Sequence, residues 1–432
     1  MTRNTNQISN NQDSATYDVA IVGSGPAGSV AALTLARGGA RVALIDKATF
    51  PRPKACGDLI GPRAIALSHR LGLALPEPSR TVTDMTLIGP KGNKLVLQAS
   101  SGVNFPGAGW LIARVKFDAY LHNVAVENGA LPITHRVSDV AQIDSGYEIL
   151  LSNNNSIRAN YLIGADGANS QVARSLQMCD ESQVLYGFAV RGYLADPVDM
   201  PVISLFKYRE NFFPGYGWVF SNAAGFANVG VGIGVLSNKK RASEATKTLV
   251  PYIDLLRSQG ILPRSKSTIQ STLGGWLRMG GHGITPCKHR AILVGDAAGL
   301  VNPLQGEGIF AAMDSGYNAA QAILTNPNDP KTNYLAYLNE NHFRFQASTS
   351  WLQKKVLEHP KLGMLAANTL TSPITPAIVG SAWGMYWNEL VTGAGNIKGS
   401  KLAKIIDNSL MMASGNSTAT KTLQRTYLGL DN

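Results

Sequence analysis

The 432-residue sequence contains very little cysteine. Its three cysteines, Cys56, Cys179 and Cys287, lie far apart and have no zinc-site spacing to one another or to the seven histidines. This excludes a small disulfide-rich secreted domain and predicts no metal site. We therefore expect a protein of a reducing compartment, the cytoplasm.

Long hydrophobic runs are also absent, since none reaches the ~18–20 residues of a membrane span. Residues 1–16 are polar, do not resemble a signal peptide, and are expected to form a disordered tail. The hydrophobic content of 44% nevertheless excludes global disorder. We expect a soluble protein, and peripheral membrane contact stays open because residues 397–432 carry five basic residues against two acidic ones.

Acidic residues are fewer than basic ones, 28 against 39, which gives a formal charge of +11. The basic residues are scattered and form no stripe interleaved with aromatic residues. Nucleic-acid binding is therefore not expected.

Residues 17–46 show a strand–turn–helix–strand pattern. A β-branched segment, Tyr17 to Val22, runs into a turn with glycines at three positions, and an Ala/Leu-rich helix and a second strand follow. In such a turn the first glycine permits the tight bend, the second lets the backbone approach a pyrophosphate, and the third lets helix and strand pack closely. An acid that ends the second strand is placed to bind ribose hydroxyls. The pattern predicts dinucleotide binding by Gly23, Gly25, Ala27, Gly28, Asp46 and Lys47.

Two later motifs follow predicted strands. One contains Asp166 and Gly167 within residues 164–174, and the other begins with Gly295 and Asp296. Together with the glycine turn they resemble the three-part signature of FAD-dependent oxidoreductases of the para-hydroxybenzoate hydroxylase type, over about residues 17–325. The resemblance implies FAD as cofactor, with Asp296 on its ribityl chain and Arg114 facing it.

Narrower motifs resemble the geranylgeranyl reductase family. They are Pro53-Lys-Ala-Cys-Gly-Asp58, Tyr216-Gly-Trp-Val-Phe220, and the run from Gly295 to Ile309. Leu59 and Ser221 depart from the family pattern. The resemblance implies that reduced flavin transfers hydride to a C=C bond of a prenyl chain or another large apolar molecule, with Cys56, Tyr216 and Trp218 as catalytic residues. It also implies that the cofactor is bound by Cys56, Gly57, Pro303, Gly306, Gly308 and Ile309.

Some of these residues can also be interpreted without the family. The glycine-rich stretch 302–308 opens a predicted helix over 307–324, whose N-terminus would favour negative charge on a flavin ring. Cys56 is either a proton donor or a packing residue. Alternation places Tyr216, Trp218 and Phe220 on one face of a predicted strand, with Phe212 and Phe213 nearby, as a cavity wall or as sheet core. The histidines are interpreted as structural or surface residues.

Other activities fit the same motifs. The alternative enzyme is an FAD-dependent monooxygenase or epoxidase of a terpenoid or aromatic natural product. A halogenase is less favoured, because those enzymes carry a W-x-W-x-I-P segment where this chain has residues 216–221. A non-catalytic flavin or lipid binder is the remaining alternative. With no second glycine fingerprint, the reductant is NAD(P)H bound transiently, a ferredoxin-like protein or another donor.

The expected architecture is α/β. A Rossmann-like FAD-binding domain formed by residues 17–182 and 285–350 is interrupted by an antiparallel-sheet substrate domain, residues 183–284. A helical C-terminal region, residues 351–432, completes the chain.

Overall fold

Two large sheets divide the chain between them. The computed structural model describes residues 16–98, 107–196, 198–199, 201–205, 215–222, 225–236, 239–265, 267–372 and 401–430. The strands are β1 (Thr16–Val22), β2 (Val42–Asp46), β3 (Leu59–Ile60), β4 (Arg80–Val82), β5 (Asp84–Ile88), β6 (Lys94–Gln98), β7 (Gly109–Leu111), β8 (Leu131–Thr134), β9 (Val137–Ile143), β10 (Gly146–Leu151), β11 (Ser156–Gly164), β12 (Leu185–Leu194), β13 (Val202–Leu205), β14 (Gly215–Ser221), β15 (Ala227–Leu236), β16 (Gln270–Met279), β17 (Cys287–Lys288) and β18 (Ala291–Leu293).

The helices surround these sheets. They are α1 (Pro26–Arg37), α2 (Pro62–Arg70), α3 (Arg114–Glu127), α4 (Gln171–Ser175), α5 (Ala242–Ser258), α6 (Ile309–Thr325), α7 (Pro330–Asn341), α8 (Phe343–Glu358), α9 (Pro360–Leu370), α10 (Lys401–Gly415) and α11 (Thr418–Tyr427). None of the helices in the described part of the chain is long and apolar enough to cross a membrane.

The first sheet has the order β17-β18-β11-β1-β2-β8, with β9 and β10 attached through β11. Its central strands, β18, β11, β1, β2 and β8, are parallel. The apolar residues of β18, β11, β1 and β2 are largely buried on both faces, as expected for strands covered by helices on each side, whereas the edge strand β8 is mostly exposed. The carboxyl ends of β1, β11 and β18 therefore meet at one edge, and each of the three motifs follows one of these strands.

Helix α1 shows how the sequence builds this layer. Pro26 occupies its first turn, where a missing N–H removes no helical hydrogen bond, and the helix ends at Gly38 and Gly39. Nearly all of α1 is buried, because α6 crosses it closely. A β-carbon at Gly316 of α6 would lie 2.2 Å from the Ala27 carbonyl oxygen, so only glycine permits this crossing.

The second sheet has the order β16-β12-β15-β14-β13-β5-β6. It is antiparallel except where β13 pairs with β5. Helix α5 packs on one face, where a β-carbon at Gly217 would overlap the Tyr252 ring. The opposite face of β14 carries Tyr216, Trp218 and Phe220, which form an apolar cluster. The alternation predicted for these three residues is therefore present.

The predicted α/β architecture with an antiparallel second sheet is confirmed, but several boundaries differ. Strands β5 and β6 belong to the second sheet although they fall within residues 17–182, because β5 finds a partner in β13 far along the chain. Thr16 begins β1, and residues 1–15 lie outside the described residues. Helix α6 begins at Ile309 instead of the predicted Glu307.

Candidate active site

The glycine turn after β1 is shaped by close backbone approaches. Gly23 has φ 101°, and a β-carbon there would lie 2.3 Å from the Ala165 carbonyl oxygen. A β-carbon at Gly28 would lie 1.8 Å from the Gly23 carbonyl oxygen. These contacts bring the first motif against the segment that leads into the second motif, so the two stretches form one surface.

Gly25 is different, because the space in front of it is open. Among the described residues, a β-carbon there would have only Arg52 Nη2 within 4 Å, at 3.6 Å. Gly25 is also the N-cap of α1, whose first-turn N–H groups donate to no capping side chain in the described part of the chain. The open backbone, the positive helix end and the guanidinium together suit a pyrophosphate.

Asp166 provides a second indication that a ligand binds at this surface. Its Oδ2 accepts the N–H groups of Gln171 at 2.6 Å and Val172 at 3.2 Å. Its Oδ1 is buried and has no hydrogen-bond partner among the described residues. Burial raises the pKa of the Asp166 carboxyl, against the N–H and Ser170 hydrogen bonds that lower it. A hydroxyl-bearing ligand beside this oxygen would satisfy it.

Asp46 holds the glycine turn from the end of β2. Its Oδ2 accepts the Ser24 N–H at 2.8 Å, and its Oδ1 accepts the Ala48 N–H at 2.9 Å. The Ser24 hydroxyl lies 2.7 Å from His122 Nδ1, and the His122 ring stacks on Phe50 with centroids 4.4 Å apart. His122 thus supports the turn directly, whereas the sequence interpretation gave the histidines no site role.

The third motif completes the surface. A β-carbon at Gly295 would lie 3.3 Å from the Ala27 side chain, which places this motif beside the glycine turn. The Asp296 carboxylate faces Gly308, where a β-carbon would lie 3.5 Å from Oδ1. Burial raises the pKa of Asp296, and the cations Lys54, Arg114 and Arg278 oppose that shift.

The loop from Asn302 to Gly308 is held from several sides. Asn302 Oδ1 accepts the N–H groups of Leu304 at 2.8 Å and Gln305 at 3.1 Å. From α8, Gln353 Nε2 donates to the Pro303 carbonyl at 2.6 Å. From β14, the Tyr216 hydroxyl donates to the Gln305 carbonyl, and a β-carbon at Gly306 would lie 3.4 Å from that hydroxyl. The loop therefore has a fixed shape between the two sheets.

The segment that contains Cys56 lies against the aromatic face of the second sheet. A β-carbon at Gly57 would lie 2.9 Å from the Phe220 ring and 3.1 Å from Trp218 Nε1. Asn228 Nδ2 donates to the Cys56 carbonyl at 2.8 Å. Burial raises the pKa of the Cys56 thiol; Arg114 lowers it and Asp58 raises it further. The thiol is therefore protonated at neutral pH.

Charged side chains surround the same space. Arg114 makes a two-point ion pair with Asp118, at 2.6 and 2.9 Å, so its guanidinium is largely occupied within α3. Arg52 Nη1 lies 3.3 Å from Asp118 Oδ2. Burial lowers the pKa of Lys54, while Asp296 raises it. Two carboxylates and three cations thus share one partly enclosed region, where a phosphate would add matching negative charge.

The remaining predicted residues are placed as follows. Lys47 is exposed at the end of β2, whereas Pro303 is buried in the loop and Ile309 is buried as the first residue of α6. Gly167 has φ 80° and turns the chain after β11. Phe212 and Phe213 lie outside the described residues.

Sequence reasoning missed five residues that the fold brings to the site. They are Arg52, Asp58, His122, Tyr193 and Asn228. Asp58 ends the motif Pro53-Lys-Ala-Cys-Gly-Asp58, but the sequence analysis assigned it no role. The other four residues lie in segments without a recognisable pattern, so no sequence signal marked them.

The groups present fit a dinucleotide cofactor: an open glycine turn with an arginine above it, a buried carboxylate oxygen in need of a donor, and an acid for ribityl hydroxyls. Where three separate stretches surround such a group beside an apolar wall, the arrangement is that of an FAD-dependent oxidoreductase.

Comparisons with known proteins agree with this class. The model of the FAD binding domain family matches residues 16–210. The menaquinone reductase of Mycolicibacterium smegmatis is 35% identical over 316 residues, which cover 71% of this chain and 76% of the relative. The digeranylgeranylglycerophospholipid reductase 2 of Methanosphaera stadtmanae is 32% identical over 71% of this chain and 78% of its own length.

Solved structures share the fold at low sequence identity. A geranylgeranyl bacteriochlorophyll reductase-like protein from Thermoplasma acidophilum has a TM-score of 0.66 and 21% identity, over 95% of this chain and 99% of that one. A flavin-dependent brominase has a TM-score of 0.67 and 19% identity, over 92% and 99%. The chain belongs to the geranylgeranyl reductase family of FAD-dependent oxidoreductases, and FAD as cofactor is confirmed.

Proposed function

We propose that this protein reduces a C=C bond of a prenyl chain, or of another large apolar molecule with such a chain, by using FAD. The observation that carries the proposal is the position of the Cys56 segment, with Gly57 packed between Trp218 and Phe220 and the loop of residues 302–308 reached by Tyr216. The Cys56 thiol, the loop of residues 302–308 and the apolar wall therefore lie close together.

An isolated alkene accepts hydride only when a proton reaches its other carbon. Bound FAD supplies the hydride when it is reduced. The chain must supply the acid, and the partly buried Cys56 thiol, which stays protonated at neutral pH, meets this need. Because Cys56 is fixed beside the wall, the alkene and the acid share one geometry, which removes much of the entropic cost of bringing them together.

The aromatic wall has a matching role. Tyr216 and Trp218 lie with ring centroids 6.0 Å apart, and opposite them β15 carries Gly232 and Gly230. A β-carbon at Gly230 would overlap the Trp218 indole, so the glycine lets this ring lie directly against β15. A wall of ring faces binds an apolar chain and stabilises positive charge that develops on the alkene carbon.

The names of the relatives support the same substrate class. One acts on a menaquinone and the other on a digeranylgeranyl lipid. An oxygen-transferring reaction has no comparable support at this level of identity, since the brominase shares the fold alone.

The test is product mass. The purified holoenzyme is reduced with dithionite and given candidate prenyl quinones and prenyl lipids, with and without O2. We expect a gain of two hydrogens in the prenyl chain, and not in a quinone ring, under both conditions. A gain of oxygen that requires O2 would overturn the proposal in favour of a monooxygenase or epoxidase.

A pair of cysteine variants tests the acid. Cys56→Ser is expected to retain FAD and lose turnover by about 10²-fold or more, the usual contribution of a general acid. Cys179→Ser is the matched control, because Cys179 is another partly buried thiol whose pKa is raised by burial but which lies outside the three motifs. Full turnover in Cys56→Ser would show that the thiol is not the acid.

The electron donor and the membrane contact complete the proposal. NAD(P)H or a ferredoxin-like protein reduces the flavin, and the donor that restores turnover under steady-state conditions identifies which.

Exposed apolar residues on the C-terminal helices, Leu362, Leu365 and Met412, occur among lysines such as Lys361 and Lys421. These helices contact anionic membranes peripherally, which predicts sedimentation with phosphatidylglycerol vesicles and not with phosphatidylcholine vesicles.

A further inference from the structure

Asp58 follows the Cys56-Gly57 pair in an unfavourable backbone conformation. Its φ is 65°, in the left-handed region, and the residue is only 6% exposed. For a residue other than glycine this conformation is unfavourable, and it persists only where the surroundings enforce it.

Its carboxylate receives three hydrogen bonds from three different elements. Oδ1 accepts the Arg114 N–H at the start of α3, at 3.0 Å. Oδ2 accepts the Tyr193 hydroxyl of β12 at 2.6 Å and Asn228 Nδ2 of β15 at 2.8 Å. These bonds offset the cost of the left-handed backbone and attach the Cys56 segment to α3 and to the second sheet.

The same residues hold Cys56 itself. The Asp58 N–H donates to Cys56 Sγ at 3.4 Å, and Asn228 Nδ2 also donates to the Cys56 carbonyl at 2.8 Å. Asn228 Oδ1 accepts the Trp218 indole N–H at 3.0 Å. A continuous set of hydrogen bonds therefore connects the aromatic wall with the thiol through Asn228 and Asp58.

We propose that Asp58 is a positioning residue that fixes the Cys56 thiol beside the aromatic wall and places a negative charge next to it. This inference rests on the proposed role of Cys56 as the acid. Among the groups that face the thiol, Asp58 and the phenols of Tyr193 and Tyr216 are acidic, and Arg114 is a nearby buried cation. After burial, the Asp58 charge raises the pKa of Cys56 and Arg114 lowers it.

The test is the pH dependence of Cys56 alkylation. FAD-loaded wild type, Asp58→Asn and Asp58→Gly are treated with iodoacetamide over a pH series, and modification of the Cys56 peptide is quantified by mass spectrometry. Loss of the nearby negative charge should shift the profile to lower pH by about one unit, which makes alkylation near pH 7 on the order of tenfold faster. Asp144→Asn removes an exposed carboxylate far from the thiol and should leave the profile unchanged.

Two variants keep the test informative. Asp58→Gly adopts the left-handed conformation without strain, so it covers the case in which the amide of Asp58→Asn cannot be buried. Coincidence of both profiles with that of wild type, within twofold at neutral pH and with FAD bound, would overturn the inference even if turnover fell. A shifted profile combined with full turnover of Cys56→Ser would instead uphold the positioning role and refute the acid.

Discussion

Gly230→Ala is expected to displace the aromatic wall. A β-carbon at this position would lie 2.0 Å from Trp218 Cζ2, well inside van der Waals contact, so the indole must move. Movement of the ring also breaks the 3.0 Å bond from its N–H to Asn228. Overpacking costs about 1–3 kcal/mol and the hydrogen bond about 1 kcal/mol. Against this, replacement of glycine in a strand stabilises by about 0.4–1 kcal/mol through the unfolded chain. We expect a net loss of about 1–3 kcal/mol.

Gly232→Ala is the matched control on the same strand. Its β-carbon would lie 3.7 Å from Trp218 Cζ3 and 4.0 Å from the Ala189 side chain, which is ordinary contact. Its free energy of unfolding should equal or slightly exceed that of wild type. The assay is urea unfolding of the holoenzyme followed by flavin and tryptophan fluorescence, together with turnover at saturating reductant. Equal stability and turnover in the two variants would refute the placement of the wall.

Two further changes test other parts of the site. Arg52→Ala should weaken FAD binding by about ten- to a hundredfold, because it removes one charge-assisted hydrogen bond of about 1.5–3 kcal/mol. Arg158→Ala is the control and should not weaken FAD binding, since Arg158 forms an exposed ion pair with Glu148. Titration of the apoprotein with FAD measures both affinities, and equal affinities would contradict the role of Arg52. Burial lowers the pKa of His342 to about 3, so its unfolded form binds a proton below pH 6.5 while its folded form does not. The stability advantage of wild type over His342→Gln should therefore shrink by about 2 kcal/mol from pH 7 to pH 5, and a constant difference in urea unfolding would contradict this.

The cofactor half of the site was predictable because its chemistry is local in sequence. A glycine turn needs glycines at fixed spacing, and the contacts of Gly23 and Gly28 show that any side chain would collide with backbone. The strand that carries Tyr216 and Trp218 was predictable for a similar reason, since alternation alone decides which side chains share a face.

The residues that were not predicted depend on contacts between distant segments. Asn228 reaches Cys56 across 172 positions of sequence, and Tyr193 reaches Asp58 across 135. No periodicity or spacing within one segment encodes such a pair. The inclusion of β5 in the second sheet has the same origin, because its partner β13 lies more than a hundred residues further along the chain.

The most direct test of the account is a single turnover without oxygen. The holoenzyme, reduced with one equivalent of dithionite and mixed with a prenyl lipid that has no quinone ring, should regain the absorbance of oxidised flavin in step with formation of a product heavier by two hydrogens. Cys56→Ser, with the same FAD content, should reoxidise far more slowly. Flavin that stays reduced in wild type until O2 is admitted would contradict the account.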